Sequence, residues 1–230
     1  MIISHEHKFI FLKTKKTAGT SIELALSQLC GPDDVIPPIS ESDEALRAPG
    51  SGPRNWRVHG WWQSPRPLFK RRWFKVGPQD YGFYNHMPAN EAHALLNNDK
   101  IWKSYFKFAF DRNPWDRQVS AYHFRYRRKA QPPSFAYFLD RDRRARLNNY
   151  EIYSLDGEPC VDFLGRFENL EEDFRRALGE IGVKFDQPLA RAKSGIRKNG
   201  KPYRDYYDER TRDLVGEWYA REIELLGYSF

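Results

Sequence analysis

Two scarcities exclude whole classes of protein. Cysteine occurs only at Cys30 and Cys160 among 230 residues, too few for a disulfide framework or a zinc site made of cysteine ligands. Apolar runs are also short, and none reaches the about 18 consecutive residues that cross a bilayer as a helix. The first residues lack the small-residue cleavage site of a secretory signal. We therefore expect a cytoplasmic protein in a reducing environment, without stable membrane insertion.

Negative charge is also in short supply. The chain has 38 lysines and arginines against 31 aspartates and glutamates, a net charge of +7, and a pI near 9.3. A positive surplus favours an anionic partner without naming it. Nucleic acid, acidic polysaccharide, an anionic membrane and a phosphorylated cofactor all stay open at this point.

Length and composition predict one domain over residues 1–230. From residue 33 to about 75 the apolar periodicity weakens, and proline and glycine become frequent, as in the stretch 47–53. These residues are typical of turns and loops. We expect a long loop-rich excursion here, and excursions of that length in a compact domain are usually functional or mobile.

Short apolar runs alternate with stretches of helical periodicity. Phe9–Leu12 is an unbroken apolar run, typical of a strand buried on both faces. After a polar loop, apolar residues recur on one helix face at Ile22, Ala25, Leu26 and Leu29. The further predicted elements are strands at 105–110 and 161–167, and helices beginning near Pro88, Pro114, Leu170 and Asp208. The alternation predicts an α/β fold with a mainly parallel sheet.

The first polar loop, Lys13 to Ser21, has the composition of a phosphate cradle. It lies between a predicted strand and a predicted helix, whose N-terminus carries partial positive charge. Gly19 permits close approach of the backbone to an anion, Thr17, Thr20 and Ser21 add hydroxyls, and Lys16 adds a full charge. The spacing is not that of a Walker A loop. An ordinary capped helix beside solvated lysines is the alternative.

The second polar segment follows the predicted strand that ends at Phe110. Arg112 comes directly after this strand, where ligands bind in parallel α/β sheets. Ser120 lies two turns into the next predicted helix. A guanidinium and a hydroxyl placed together can hold a phosphate group. The alternative is an unrelated surface arginine and helix serine.

Together these segments carry a family resemblance. The order strand–KTAGTS–helix, then strand–RNPWDRQVSAY–helix, resembles the sulfotransferases that use 3′-phosphoadenosine 5′-phosphosulfate (PAPS), nearest their carbohydrate and bacterial branch. Weaker similarity continues through four further segments, at residues 85–89, 165–170, 203–207 and 227–230. The resemblance thus covers nearly the whole chain.

The resemblance implies a three-layer, P-loop-like fold and a nucleotide site. The first loop, Lys16, Thr17, Ala18, Gly19, Thr20 and Ser21, would hold the 5′-phosphosulfate, and Arg112 with Ser120 would hold the 3′-phosphate. A late basic loop containing Lys193 and Lys198 would close over the nucleotide; the alternative is a mobile surface loop. PAPS is then the donor, and no metal is expected.

Resemblance also assigns the chemical step. His86 would be the base that deprotonates the acceptor hydroxyl, and Lys16 would neutralise the leaving group. A capping or core histidine is the alternative for His86, and His59 and His123 are its rivals. The chain departs from many members at Lys15, where they have proline, and at Asp111, whose carboxylate we expect to turn toward Arg112 or Arg117.

The acceptor is less well determined. Trp56, Trp61 and Trp62 could stack on sugar rings, which favours a glycan; a lipid-linked glycan, a small metabolite and a protein tyrosine stay open as acceptors. A polyanionic acceptor could be attracted by seven arginines, at positions 125, 127, 128, 141, 143, 144 and 146. The alternative is a partly buried tryptophan cluster and a solvated charged face. The sequence does not indicate an oligomeric state.

Two other functions compete with sulfuryl transfer. A P-loop-like kinase would need Mg²⁺ held by a hydroxyl and a carboxylate, and no such carboxylate motif is recognisable. A non-enzymatic, basic nucleic-acid-binding domain rests on the high pI alone, because the sequence has no recognised RNA- or DNA-binding motif. We therefore expect no nucleic-acid partner.

Overall fold

Within the described residues, the central sheet has four strands, of which three are parallel. A computed structural model describes residues 1–57, 82–142, 144–190 and 201–230. The main strands are β1 (Ile2–Ser4), β2 (Phe9–Leu12), β3 (Phe106–Asp111) and β6 (Phe163–Arg166), in the spatial order β1-β2-β3-β6. Strand β1 runs antiparallel to β2, whereas β2, β3 and β6 are parallel. The predicted mainly parallel sheet is confirmed.

Helices connect these strands and flank the sheet. Their bounds are α1 Gly19–Gln28, α2 Glu41–Glu44, α3 Ala89–Leu96, α4 Asp99–Ser104, α5 Pro114–Tyr126, α6 Phe135–Arg141, α7 Tyr150–Tyr153, α8 Leu170–Glu180, α9 Glu209–Trp218 and α10 Ala220–Leu226. A two-stranded ribbon of β4 (Ser154–Leu155) and β5 (Glu158–Pro159) follows α7, and single turns of 3₁₀ helix occupy Phe167–Asn169 and Tyr203–Tyr206.

The apolar run of β2 is buried on both faces, as its sequence predicts. Ile10 and Leu12 join one core cluster, which α3, α4 and α7 complete. Phe9 and Phe11 point the other way and join a second cluster with α1 and α8. Successive strand residues face opposite sides, so a continuous apolar run fits a sheet with helices on both faces. The mixed α/β class is therefore confirmed.

A third core cluster lies beside the sheet and supports the second motif. It joins α5 to α6 and α9, with Val119, Phe138 and Val215 fully buried in it. Helix α5 begins at Pro114 because Asn113 caps it, accepting hydrogen bonds from the amides of Trp115 and Asp116. This cap fixes the direction in which the chain leaves β3.

Three sequence-based expectations differ from the structure. The last predicted helix is broken at Tyr219, whose backbone (φ −122°, ψ 27°) ends α9 before α10 begins. The predicted strand at 161–167 is shorter at both ends: it begins at Phe163, and Phe167 belongs to a 3₁₀ turn. Strand β1 has no counterpart among the predicted elements.

The described half of the excursion has little regular structure. Residues 33–57 contain only the short α2 and isolated bridges, in which Val35 pairs with Ile3 and Arg54 with Ile36. Residues 58–81 lie outside the described ones. The single-domain assignment stays a prediction. Within the described ranges, no helix has both the length and the apolar character needed to cross a membrane.

Candidate active site

The two polar segments meet at one edge of the sheet. Strand β2 is parallel to β3, with Leu12 opposite Ala109, so the loops that follow both strands leave side by side. The hydroxyl of Thr14 donates a hydrogen bond to the carbonyl of Phe110, which ties the first loop to the end of β3. Both loops therefore border the same end of the sheet, and their joint role as one ligand site stays a prediction.

A cavity of about 1150 Å³ opens between these loops. Its volume is of the order of the largest small-molecule sites. The predicted residues that line it are Lys16, Thr17, Ala18, Gly19, Thr20, Ser21, His86, Arg112 and Ser120. Further lining residues include Lys13, Lys15, His123, Phe124, Arg125, Arg127, Arg144, Phe167 and the start of α8. Lys193 and Lys198 lie outside the described residues, as do His59, Trp61, Trp62 and Arg143.

The first loop has an unusual backbone. Lys16 and Ala18 adopt left-handed conformations, with φ of 65° and 57°. Ala18 is the N-cap of α1, and its methyl side chain cannot accept a hydrogen bond from the first turn. Gly19, Thr20 and Ser21 of the first turn line the cavity, and the N-terminus of a helix suits an anion.

Gly19 is required by close packing. A Cβ atom at this position would lie 2.7 Å from Cγ of Lys13 and 3.3 Å from the carbonyl oxygen of Thr14. Any other residue would push the loop away from the start of α1. The glycine thus keeps the loop folded tightly around the helix N-terminus.

The three lysines of the loop have different surroundings. Lys13 is buried and forms an ion pair with the fully buried Glu23, so its charge is held inside the protein. Lys16 lies at the cavity, with its Nζ 4.1 Å from the ring centroid of Phe124. Burial lowers the pKa of the Lys15 ammonium. Lys13 also lines the cavity, but its ammonium is paired with Glu23.

His86 contacts the first loop directly. Its Nδ1 lies 3.0 Å from the carbonyl oxygen of Lys13, and its own backbone is left-handed, with φ of 60°. Burial, followed by the charge of Lys13, lowers the pKa of His86 to about 3. The imidazole is therefore neutral near pH 7, and it lines the same cavity as Lys16.

Arg112 is held by three neighbours. Its Nε donates to Oδ2 of Asp116 at 2.9 Å, one terminal nitrogen donates to the Lys16 carbonyl at 3.3 Å, and the guanidinium carbon lies 3.9 Å from the ring centroid of Phe167. Ser120 lines the cavity from α5. Arg112 thus joins the first loop to the second motif, and Asp116 neutralises part of its charge.

The Asp111 carboxylate is buried, where it accepts from the Arg112 backbone amide and pairs with the Arg117 guanidinium. Both Asp111 and Arg117 are fully buried and form an ion pair, so the expected partnership with Arg117 is confirmed. Arg117 also contacts Glu222 at 3.3 Å and packs on the ring of Tyr219. A buried pair of this kind is expensive to break, which makes it an anchor for the end of β3.

The other aromatic and basic candidates separate into two groups. Trp56 packs against the first core cluster, in keeping with the alternative of a buried tryptophan. Arg125, Arg127 and Arg144 line the cavity, and Arg125 is paired with Asp142 at 2.8 Å. The remaining described arginines of this candidate set, at 128, 141 and 146, are exposed.

His123 also lines the cavity, and its Nε2 lies 2.8 Å from the hydroxyl of Tyr206. It therefore stays a rival to His86 as the base. Metal chemistry is not indicated by the residues the structure covers, which contain no cluster of three or more His, Cys, Asp or Glu residues suited to a metal ion. Metal independence stays a prediction.

Comparison with known proteins identifies a matching family and one related sequence. A model described as the sulfotransferase family matches residues 1–229. An uncharacterized protein of Archaeoglobus fulgidus is 35% identical over 89 residues, which cover 36% of this chain and 73% of that protein. No solved structure matches this chain.

Proposed function

This chain belongs to the sulfotransferase family, and from that membership we propose that it transfers the sulfuryl group of PAPS to a hydroxyl of a carbohydrate. The observation that carries the proposal is the shared cavity, where the first loop, Arg112 and His86 meet. Membership supports sulfuryl transfer in general. The donor, the acceptor and the residue roles are the parts we propose.

The first loop suits the 5′-phosphosulfate of the donor. Residues 16–21 line the cavity, Lys16 and Ala18 have left-handed backbones, and Gly19 lets the loop pack closely against the start of α1. The lining residues Thr20, Ser21 and Lys16 add hydroxyl and ammonium donors, whereas the Thr17 hydroxyl is hydrogen-bonded to Thr14. Helix N-termini and lysines both favour anionic oxygen atoms.

The second motif suits the 3′-phosphate. Arg112 and Ser120 line the same cavity, and an arginine can donate two parallel hydrogen bonds to a phosphate. Asp116 would then share the guanidinium with the phosphate. A separate site for the 3′-phosphate explains how the protein would distinguish PAPS from ordinary adenine nucleotides.

His86 is the proposed base. A carbonyl oxygen only accepts hydrogen bonds, so the bond to Lys13 requires the proton on Nδ1. The lone pair is then on Nε2, which can take the proton of the acceptor hydroxyl as its oxygen bonds to sulfur. The negative charges of the donor would raise the pKa of His86 from its low value.

Lys16 is the proposed electrostatic aid at the leaving group. PAPS, when bound, supplies the sulfuryl group, and adenosine 3′,5′-bisphosphate leaves as the bond between sulfur and the 5′-phosphate oxygen breaks. Negative charge grows on that oxygen, and an ammonium about 4 Å away would contribute about 4 kcal/mol at an effective dielectric constant of 20. Only the increase on reaching the transition state accelerates transfer.

The proposal has three finer parts, which concern the architecture, the acceptor and the cellular location. A three-layer, P-loop-like architecture agrees with helices on both faces of the sheet. A carbohydrate acceptor is favoured by the family branch that the motifs resemble and by the cationic rim of Arg125, Arg127 and Arg144. A cytoplasmic location rests on composition alone.

Calorimetric titration tests the donor assignment. The protein should bind adenosine 3′,5′-bisphosphate at least ten-fold more tightly than AMP, because only the former has a 3′-phosphate. Equal affinities would contradict the assignment. A screen of glycan acceptors with ³⁵S-labelled PAPS then tests the acceptor class. Phosphate transfer from labelled ATP that requires Mg²⁺ would instead favour the kinase, and steeply salt-dependent binding to duplex DNA would favour the nucleic-acid-binding domain.

A further inference from the structure

Asn149 makes an unusual pair of contacts with the first loop. Its side chain is fully buried. The amide of Lys15 donates to Asn149 Oδ1 at 2.9 Å, and Asn149 Nδ2 donates to the Lys15 carbonyl at 3.0 Å. One carboxamide thus satisfies both peptide groups of a single loop residue, 134 positions earlier in the chain.

The same side chain reaches the second motif. Asn149 Nδ2 lies 3.3 Å from Oδ1 of Asp111. Asp111 also accepts from the Arg112 amide at 2.8 Å and from the Tyr153 hydroxyl at 3.0 Å, besides its ion pair with Arg117. Asn149 therefore connects the backbone of the first loop to the carboxylate that anchors the end of β3.

The loop needs such a restraint because its backbone is strained. Lys16 and Ala18, which closely follow the clamped residue, are non-glycine residues in left-handed conformations. Residues of this kind keep that conformation only when the surrounding structure imposes it. Two hydrogen bonds from a buried, rigid partner on Lys15 supply the constraint immediately before the strained residues.

We propose that Asn149 is a positioning residue, which holds the first loop in the shape that accepts the 5′-phosphosulfate. This inference rests on the proposed function for its ligand. It assigns no contact between Asn149 and the donor. Loss of the clamp lets the loop relax, so binding of the 5′-phosphate weakens, whereas the 3′-phosphate site at Arg112 keeps its own guanidinium.

Affinities for three nucleotides distinguish a positioning role of Asn149 from a general loss of structure. Adenosine 3′,5′-bisphosphate carries both phosphates, 5′-AMP carries the one that the clamped loop would hold, and 3′-AMP carries the other. In Asn149→Ala, affinity for the bisphosphate and 5′-AMP should fall about ten-fold or more. Affinity for 3′-AMP should change less than two-fold. Calorimetry on purified protein measures all three.

Tyr153→Phe is the matched control. Tyr153 is equally buried and also donates to Asp111, but its hydroxyl makes no contact with Lys15. Its loss should lower thermal stability without selectively weakening 5′-phosphate ligands. If Asn149→Ala does not fold, Asn149→Ser, which keeps a small polar group, replaces it in the same comparison.

Hydrogen exchange gives a readout that needs no ligand. The Lys15 amide should exchange faster in Asn149→Ala than in the wild type, and at the wild-type rate in Tyr153→Phe. Equal loss of affinity for 5′-AMP and 3′-AMP, or an unchanged Lys15 amide, would overturn the positioning role. Failure of the wild type to prefer the bisphosphate over AMP would instead overturn the donor assignment, and the inference about its loop with it.

Discussion

His86 Nδ1 and the carbonyl oxygen of Lys13 are 3.0 Å apart, and this contact orients the histidine within the cavity. Because the oxygen can only accept, the proton is on Nδ1 and the lone pair is on Nε2. The same loop that is proposed to hold the donor thus selects the tautomer of the proposed base. The first loop therefore both orients the proposed base and forms part of the proposed donor site.

The low pKa of His86 predicts an absence of titration in the ligand-free protein. Burial and the charge of Lys13 lower this pKa to about 3, so NMR signals of the ring should stay constant from about pH 8 to 5. Adding adenosine 3′,5′-bisphosphate should raise the pKa of His86, because negative charge favours the imidazolium. A ligand-free titration near the ordinary pKa of histidine would contradict this environment.

The same shift bears on stability. An unfolded histidine takes up a proton near pH 6.5, whereas folded His86 resists protonation until its pKa of about 3 is reached. Acidification through this window therefore favours the unfolded chain. Below about pH 6.5, the urea midpoint of the wild type should fall more steeply than that of His86→Gln, whose side chain does not titrate.

Replacing His86 should separate chemistry from nucleotide binding. In His86→Ala, turnover should fall by about 10²–10⁴-fold, the usual contribution of a positioned base. Affinity for adenosine 3′,5′-bisphosphate should change little. The measurements are steady-state rates with labelled PAPS and calorimetry. Near-normal turnover would transfer the role to His123 or His59, and His123→Ala is the matched variant.

Replacing Lys13 should mainly lower folding stability, whereas replacing Lys16 should mainly lower turnover and PAPS binding. Lys13→Met leaves the buried Glu23 with Arg47, 3.4 Å away, as its remaining side-chain partner, and loss of one member of a buried ion pair destabilises by up to about 3–5 kcal/mol. Lys16→Met removes a cation at the cavity, so turnover and PAPS binding should fall with a much smaller loss of stability. Chemical denaturation and rate assays on both variants test this division. A catalytic loss confined to Lys13→Met at full stability would reverse the assignment.

Arg112 should act on one phosphate only. Arg112→Ala should weaken binding of adenosine 3′,5′-bisphosphate by about 1.5–3 kcal/mol, the range for hydrogen bonds to charged groups. AMP binding should be nearly unchanged. Asp116→Asn is the counterpart: it removes a carboxylate that pairs with Arg112 and should strengthen bisphosphate binding a few-fold. If Arg112→Ala weakens both nucleotides equally, its role is structural.

Much of this arrangement could be read from the sequence because the signals are local. Phe9–Leu12 is a strand because its run is apolar without interruption, and Asn113 with Pro114 marks the start of α5. Two such strand–loop–helix units in one parallel sheet place both loops at the same edge. The two loops therefore meet as the motifs predict.

The rest depends on contacts between distant residues. Asn149 lies in a polar stretch without periodicity, and nothing in its neighbours indicates that it contacts Lys15. The three lysines look alike in sequence, whereas only the structure shows that Lys13 pairs with the buried Glu23. Arg112 reads as a phosphate ligand, but its pairing with Asp116 emerges only from the structure.

The loop-rich excursion touches the outermost strand of the sheet. Val35 exchanges two backbone hydrogen bonds with Ile3 of β1, of 3.0 and 2.8 Å. A bare strand at a sheet margin presents unpaired amides and carbonyls that recruit strands from other molecules. Because Val35 pairs with Ile3, the excursion hinders edge-to-edge pairing of β1 with strands of other copies of this protein. A deletion around Val35 should therefore cause the expressed protein to aggregate, even where catalysis in the remaining monomer is unchanged.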